Sequence, residues 1–377
     1  MNSPGLAFTI LAFLLAIGPL IIVHELGHYL TGRLFGVKAD TFSIGFGREV
    51  AGWTDKRGTR WKVGWLPLGG YVKFKGDMNP ASTPSDEWLS MPAAERAETF
   101  QAQKLWRRFL IVAAGPVTNF LFAIVAFMII FAAVGYPTTP AGVGAVSPGS
   151  AAEAAGFRPG DQIVGVDGNR IETFADLQSY VMLRPEEEMA FDVRREGRTI
   201  VLHATTRAEM REDEFHNRAR AGLLGVSPNG ALEFAPLPLS QLPGTAIKTT
   251  AGIVESMMVA LGQVASGRRS LQELGGPLKI AEVSGQQASL GWLPFFWLMS
   301  VVSINLGFIN LLPIPLLDGG HLLFYAIEGV RRKPLRPEAQ EWAFRTGLAV
   351  LLALMAFVTF NDLASFGLFS GLGRLIG

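Results

Sequence analysis

The sequence contains no cysteine among its 377 residues. That absence excludes disulfides, a thiolate nucleophile and a cysteine-ligated metal. Charge is also scarce, since Asp, Glu, Lys and Arg make up 17% of the chain, against about 25% in typical soluble domains. The formal net charge of +1 offers no field that would attract nucleic acid, so no nucleic-acid partner is expected. Part of the chain is instead expected to lie in lipid, and any metal site must use carboxylates and the five histidines.

Four uncharged stretches are candidates for crossing a bilayer, which takes about 20 residues of helix. The opening MNSPG lacks the positive charge that begins a signal peptide, so we interpret the first stretch as a retained transmembrane helix. The third stretch ends in PIP, which breaks its helix, and the fourth needs a few flanking residues to reach spanning length. The stretches are Gly5–Val23, Phe109–Pro137, Val283–Leu317 and Thr346–Asn361.

Lysine and arginine collect in two connecting segments, the one between the first two stretches and RRKPLR at residues 331–336. The positive-inside rule places both segments in the cytoplasm. The long segment from about Thr138 to Gln287 and both termini are then expected on the opposite side of the membrane.

Two regions outside the spans have β character. Residues 37–104 alternate aromatic and basic side chains around turn-forming glycines, which predicts β-hairpins that either dip into the membrane or form a small cytosolic sheet. Residues 138–206 combine short strands, turn signals and one helix, which predicts a soluble α+β module. The predicted division of the chain is 1–36 (first transmembrane helix), 37–104 (β region), 105–137 (second transmembrane helix), 138–206 (soluble module), 207–288 (linker and membrane-surface helices), 289–330 (third transmembrane segment) and 331–377 (cytoplasmic loop and fourth transmembrane helix).

The first span runs into His24-Glu25-Leu26-Gly27-His28, an H-E-x-x-H pattern. On a helix, positions i and i+4 share a face, so both imidazoles can bind one ion while Glu25 reaches the attacking water. Ionisable groups inside a membrane cost at least a few kcal/mol each, and zinc coordination would satisfy all three together. Because His203 and His216 fall in the soluble segment, a third ligand is expected from another span.

Asp318 is the first charged residue after 35 uncharged ones. Gly319 and Gly320 allow close backbone approach, and the preceding prolines let non-helical backbone line a polar cavity in the membrane. A carboxylate would balance the charge of Zn²⁺, which favours Asp318, with His321 as the alternative. An isolated Asp-Gly-Gly is more often a turn whose Asp caps a helix.

Intramembrane asparagines are the remaining polar candidates. Asn119 follows Gly115 by four positions within the second span, where helix packing and contact with substrate backbone are both open interpretations. Asn310 immediately precedes the proline-broken segment, and this position favours a functional role.

Five motifs follow one another along the chain: HELGH at 24–28, GFG at 45–47, LPLGGYVKF at 66–74, IVAAGPVTNF at 111–120 and NLLPIPLLDGGH at 310–321. Their order resembles the site-2 proteases, the intramembrane zinc metalloproteases of peptidase family M50, and within them the bacterial regulator-of-sigma-E proteases. Residues 142–205 are similar to the PDZ domain inserted between the second and third spans of that family. Enterobacterial members have two such domains, whereas this sequence shows one.

The resemblance implies that His24, His28 and Asp318 bind zinc and that Glu25 is the catalytic base, which decides between Asp318 and His321. It also implies that other residues bind substrate. The predicted substrate contacts are Asn310, Asn119, Gly69 and Gly70, the two glycines belonging to a membrane-associated β region. The predicted peptide groove of the PDZ-like domain comprises Val143, Gly144 and Val146.

The expected fold class is a polytopic α-helical membrane protein with about four transmembrane helices, a membrane-associated β-hairpin region and an inserted α+β PDZ-like domain. The expected function is zinc-dependent hydrolysis of a peptide bond in the transmembrane segment of a single-pass protein. The resemblance implies an anti-sigma factor as that substrate, after a first cleavage by another protease. It also implies the bacterial inner membrane as the location, with the termini and the PDZ-like domain in the periplasm. The alternatives are a membrane-tethered protease of the soluble zinc type and a non-catalytic PDZ scaffold or metal transporter.

Overall fold

The computed structural model describes residues 4–76, 88, 91–212, 218–230, 233–268, 276–333 and 335–365. His216 lies outside these residues. The chain forms two compact units, Met1–Phe127 with Gly276–Gly377, and Met128–Gly275.

Helices account for most of the first unit, whereas the second combines short strands with helices. The helices are α1 Leu6–Leu34, α2 Ala93–Arg96, α3 Leu105–Val134, α4 Ala151–Ala154, α5 Phe174–Met182, α6 Leu242–Ala265, α7 Pro277–Leu290, α8 Trp292–Leu311, α9 Asp318–Arg331 and α10 Pro337–Ser365. The strands are β1 Ala39–Thr54, β2 Arg60–Phe74, β3 Tyr136–Pro137, β4 Val143–Val146, β5 Gln162–Val166, β6 Asn169–Arg170, β7 Glu188–Arg195, β8 Arg198–Thr205, β9 Arg207–Glu212, β10 Arg218–Leu223, β11 Val226–Pro228 and β12 Phe234–Ala235.

Helices α1, α3, α8 and α10 are long and apolar enough to cross a membrane, which confirms the four predicted spans. The third is shorter than the uncharged stretch that predicted it. Gly291, with φ at +123°, separates α7 from α8, because a residue with positive φ cannot continue a right-handed helix. Asp362 of α10 accepts hydrogen bonds from the backbone N–H groups of Gly276 and Leu278 at 3.0 and 3.1 Å, and so caps the N-terminus of α7.

Small residues bring α1 and α3 together. A Cβ added at Gly27 would lie 2.6 Å from Oγ1 of Thr118 and would overlap the carbonyl of Ala114. The Thr118 hydroxyl donates a hydrogen bond to the carbonyl of Val23 at 3.0 Å. In lipid, helix association depends on such close packing and on interhelical hydrogen bonds, so these contacts fix the part of α1 that carries the histidines.

Strands β1 and β2 form an antiparallel pair whose register shifts along its length. Phe42 of β1 is paired with both Val72 and Trp61 of β2, so the first half of β1 lies between the two halves of β2. Phe42 is fully buried and packs against Tyr29 of α1. Trp65 is 64% exposed. The predicted strands are present, and their depth in the membrane stays a prediction.

The second unit contains a four-stranded sheet in the order β6-β5-β7-β8. Its core includes Ile163, Leu177 and Phe191, each at most 2% exposed. Thr173 and Asp176 begin α5 with a capping box. Strand β11 pairs with β4, so hydrogen-bonded strands lie on both sides of the predicted boundary at residue 206, which stays a prediction. The folded insert continues to at least Pro228.

Candidate metal centre

Helix α1 presents two histidines one turn apart. The Nε2 atoms of His24 and His28 lie 3.2 Å from each other, and the rings meet edge to face with centroids 4.9 Å apart. His24 and Glu25 are 8% and 9% exposed. The periodicity of the helix therefore delivers both imidazoles to one point inside the protein.

Asp318 is the first residue of α9 and meets the histidines from the other side. Its Oδ2 lies 3.1 Å from Nε2 of His24 and 3.5 Å from Nε2 of His28. Helix α9 has Leu317 as its N-cap, so Asp318 is not the cap residue. A Cβ at Gly319 would overlap the carbonyls of Leu311 and Leu312. The backbone at Gly319 therefore lies close to residues 311 and 312, as predicted, and the Asp318 carboxylate faces α1.

The three ligand atoms lie within 4.8 Å of one another. A tetrahedral zinc site with bonds of about 2.0–2.2 Å places its ligand atoms roughly 3.3–3.5 Å apart. The observed separations of 3.1, 3.2 and 3.5 Å lie within about 0.2 Å of that range. Oδ2 of Asp318 is also buried without a hydrogen-bond partner among the described residues. The residues thus fit zinc with three protein ligands, the open arrangement of catalytic sites.

Both histidines have a second partner on α3. Nδ1 of His28 lies 2.9 Å from the carbonyl oxygen of Ile111, so Nδ1–H donates and Nε2 is left with a free lone pair. Nδ1 of His24 lies 3.4 Å from Nδ2 of Asn119. Asn119 is fully buried and lies behind His24, away from the cavity lining.

The site opens into a cavity of about 430 Å³ that Glu25 lines together with the three metal-ligand candidates. Among the other predicted site residues, Asn310, Gly69, Gly70 and the alternative ligand His321 line the same cavity. His321 packs against Phe344, with ring centroids 5.1 Å apart, and does not belong to the three-atom ligand cluster. The structure therefore brings together most residues that the sequence singled out.

Strand β2 crosses α1 beside the glutamate. A Cβ at Gly70 would lie 3.0 Å from Cγ of Glu25, 2.9 Å from Cγ2 of Ile21 and 2.8 Å from the carbonyl of Ser43. Gly69 has φ at +93°, a conformation that favours glycine. Glycine at position 70 lets the strand lie directly on the helix, next to the proposed base.

Two site residues escaped the sequence analysis. A Cβ at Gly115 would lie 2.9 Å from Nε2 of His24 and would overlap the ring of His28, so glycine is required there for the imidazoles to fit. Leu316 lines the cavity with φ at +86°, a strained conformation for a branched residue that concentrates at functional sites. The position of Gly115 one turn before Asn119 was the sequence signal available for Gly115. Nothing in the sequence pattern indicates Leu316.

The predicted peptide groove at Val143, Gly144 and Val146 lies on a strand that has neighbouring backbone on each side of Val143. One edge of β4 is paired with β11. On the other edge, the N–H of Val143 donates to the carbonyl of Asp161, and the N–H of Gly160 donates to the carbonyl of Val143. Val143 itself is fully buried. Backbone neighbours therefore lie on both sides of β4 at Val143, and peptide binding at this groove stays a prediction.

The profile of "Peptidase family M50" matches residues 12–354. The chain belongs to peptidase family M50. Among its relatives, "Putative zinc metalloprotease Atu1380" of Agrobacterium fabrum is 41% identical over 94% of this chain and 96% of that protein. "Metalloprotease MmpA" of Caulobacter vibrioides is 38% identical over 98% of this chain and 99% of that protein.

Membership in M50 confirms the resemblance drawn from the motifs and the predicted enzyme class, a zinc-dependent metalloprotease. The four membrane-length helices agree with a membrane protease of this family. The match includes both the H-E-x-x-H segment and Asp318, since both fall within residues 12–354.

Proposed function

We propose that this M50 member hydrolyses a peptide bond within the transmembrane segment of a single-pass membrane protein. The observation that carries the proposal is the depth of the site along α1. His24 lies about 27 Å and His28 about 33 Å from the first residue of this helix, at 1.5 Å per residue. Helix α1 has 29 residues, about 43 Å, so a hydrocarbon layer of about 30 Å centred on it contains both histidines.

The proposal assigns the metal to His24, His28 and Asp318. Zinc held by these residues would lower the pKa of a water molecule to about 7 and polarise the scissile carbonyl. Glu25 follows His24 in the helix and lines the same cavity. Its carboxylate takes a proton from the attacking water and then donates that proton to the departing amine nitrogen.

The substrate must be extended to react, because the carbonyl groups of a helix are already hydrogen-bonded. The half of β2 around Gly69 and Gly70 lies at the cavity, and backbone pairing with this strand would hold a substrate straight. The cavity also includes Asn310 of α8, whose amide can donate to a substrate carbonyl and accept from a substrate N–H. Substrate binding by these three residues is part of the proposal.

The decisive experiment compares Glu25→Gln with the wild type in full-length protein purified in detergent. Removing a general base costs about 10²- to 10⁴-fold in rate, while all three metal ligands are kept. We expect wild-type zinc content and a loss of cleavage of a transmembrane reporter. Glu255→Gln, an exposed position on α6, is the matched control. Normal turnover by Glu25→Gln would refute the assignment.

A second pair of reporters separates the intramembrane protease from a membrane-tethered protease of the soluble type. One reporter carries the test sequence within its transmembrane segment, and the other carries it in a soluble linker. We expect cleavage of the first alone. Cleavage of the linker alone would favour the tethered enzyme, and zinc-free protein without cleavage of either would favour a scaffold.

We also propose that the insert is a PDZ-like domain that controls access of substrates. Its support is the mixture of short strands and two capped helices around one core. Strands β11 and β4 form a two-stranded sheet in the described part of the chain, and a peptide strand would add at the edge of β11 that faces away from β4. The insert begins and ends on adjacent strands, since the N–H of Thr138 donates to the carbonyl of Glu233 at 2.9 Å.

Because Thr138 and Glu233 lie next to each other, the insert can be deleted by replacing residues 139–232 with a two-residue Gly-Ser link. This variant is the clean deletion. We expect the deleted protein to cleave substrates whose outer domain has not been trimmed. A protein lacking only residues 142–205 is the comparison, and it should fold poorly because β11 loses its partner β4. Unchanged discrimination by the clean deletion would mean that the insert does not select substrates.

The distribution of Lys and Arg supports a periplasmic insert and termini in a bacterial inner membrane, and the resemblance to regulator-of-sigma-E proteases supports an anti-sigma factor as substrate. Because the chain has no cysteine, a single introduced cysteine reports on which side of the membrane its position lies. Ala154→Cys in the insert should react with an impermeant maleimide on spheroplasts, whereas Lys333→Cys should react only after lysis. The opposite pattern would invert the orientation.

A further inference from the structure

Residues 48–65, the outer hairpin, have one apolar face. Opposite residues of an antiparallel pair share a face of the sheet, and Ala51 lies opposite Val63, as Trp53 lies opposite Trp61. The rings of Trp53 and Trp61 stack with their centroids 5.9 Å apart. Trp53 is 59% exposed and Val63 is 37% exposed, and exposed tryptophan is typical of a membrane–water interface. With the period of two along a strand, this apolar face comprises Ala51, Trp53, Trp61, Val63 and Trp65.

The same hairpin carries a surplus of positive charge. It has five basic and two acidic side chains, and both acidic groups are engaged within the hairpin. Glu49 forms an ion pair with Arg60. Asp55 accepts hydrogen bonds from the indole N–H of Trp61 at 3.0 Å and from the backbone N–H of Arg57 at 2.8 Å. In the described part of the chain, the exposed cations of the hairpin without an ion-pair partner are Arg48, Lys56 and Arg57.

The contact of the hairpin with α1 indicates its depth. The hydroxyl of Tyr29 donates to Oδ2 of Asp55, in the turn of the hairpin, at 3.5 Å, and the rings of Tyr29 and Trp61 meet edge to face. Tyr29 lies five residues before the end of α1 at Leu34, about 7.5 Å at 1.5 Å per residue. A hydrocarbon layer of about 30 Å centred on this helix ends about 6–7 Å before Leu34. With that placement, the turn lies at the level of the lipid head groups.

We propose that the outer hairpin binds the membrane surface at the C-terminal end of α1 and selects anionic phospholipid head groups. The apolar face lies in the interface, and the three exposed cations contact lipid phosphates. An acidic soluble protein would complement these cations, but it would not explain an exposed tryptophan face at head-group level. Each cation near an anionic surface should strengthen binding about fivefold, and salt should weaken this attraction because it screens exposed charges.

The first test measures the surroundings of a fluorophore in full-length protein reconstituted into vesicles. Val63→Cys carries an environment-sensitive fluorophore on the apolar face, and Thr54→Cys, opposite Arg60, carries it on the other face. Adding phosphatidylglycerol to phosphatidylcholine vesicles should shift the Val63→Cys emission to the blue, and concentrated salt should reverse the shift. The Thr54→Cys emission should stay that of a polar environment. Ala51→Cys replaces Val63→Cys if that protein does not fold.

Two outcomes of this test would overturn the proposal. Aqueous emission from the apolar face in both kinds of vesicle would mean that the hairpin does not bind lipid, and would leave a soluble partner as the explanation of its charge. Blue-shifted emission in both kinds of vesicle, insensitive to salt, would mean that the apolar face alone binds the membrane and that the cations select no head group.

The second test removes the charge. One variant replaces the three exposed cations of the hairpin with glutamine: Arg48→Gln, Lys56→Gln and Arg57→Gln. The matched control removes the same charge from exposed arginines of the insert: Arg194→Gln, Arg198→Gln and Arg207→Gln. In vesicles with phosphatidylglycerol, the hairpin variant should lower the ratio of bound to unbound hairpin by roughly 100-fold, and the control should match the wild type. An unchanged ratio in the hairpin variant, or an equal loss in the control, would overturn the proposal.

Discussion

Gly115→Ala should damage the metal site while leaving every proposed ligand and the base in place. A Cβ at this position lies 2.9 Å from Nε2 of His24 and closer still to Nε2 and Cε1 of His28, whereas nonbonded carbon contacts are about 3.5–4.0 Å. His28 cannot move away without breaking its 2.9 Å hydrogen bond to the carbonyl of Ile111. Relief of the overlap therefore shifts an imidazole by about 1 Å, and such a shift can cost on the order of 100-fold in rate.

The assay measures zinc affinity and reporter cleavage on the same preparations, with Gly18→Ala as the matched control. Gly18 also lies within a membrane helix, but a Cβ there meets nothing within 4 Å. The control should keep wild-type zinc affinity and rate. Gly115→Ala should lose both together, because the displaced atoms include the metal-ligating nitrogens. Wild-type zinc affinity and rate in Gly115→Ala would refute the packing argument.

Three further predictions concern β2, the metal and the insert. Gly70→Ala should reduce cleavage and preserve zinc content, since the added Cβ meets Glu25 and not the histidines; equal loss of zinc would contradict this. Chelation should lower the thermal midpoint, because zinc at 100 times its Kd contributes about 2.7 kcal/mol, and an unchanged midpoint would contradict a bound metal. Burial acts to raise the pKa of Asp161, but two hydrogen bonds of 2.7 Å from Arg195 outweigh it and hold the pKa below the ordinary 3.8. The pair therefore stabilises the insert fully above about pH 4 and progressively less as the pH falls below that value. Arg195→Leu should cost about 3 kcal/mol at neutral pH, measured as faster amide exchange in β5 of the full-length protein, and unchanged exchange would contradict it.

The features that the sequence predicted correctly depend on local spacing or on the absence of charge. The four uncharged stretches correspond to four helices of membrane-spanning length, because a long run without charge is enough to predict a membrane span. The i, i+4 spacing of His24 and His28 placed both rings on one face. Asp318 was identifiable because it ends a long uncharged segment, and it lies 3.1 Å from His24.

The features that the sequence did not predict depend on contacts between distant segments. The carbonyl of Ile111 has no side-chain identity to signal its bond to His28, and Gly115 looked like a general packing residue. The pairing of β4 with β11 was not predicted, because it joins segments about 80 residues apart. An alternating pattern likewise identifies a strand such as β4 but not which of its edges is free.

Helix α3 offers neutral partners to both histidines of the proposed metal site. Its Ile111 carbonyl and the Asn119 side chain lie two turns apart and meet the outer nitrogens of His28 and His24. Between them, Gly115 leaves the space that the two rings occupy. Neutral groups can orient histidines at much lower cost in lipid than carboxylates, whose burial as unpaired ions is expensive. The single carboxylate among the proposed ligands, Asp318, is then available to offset the charge of the metal.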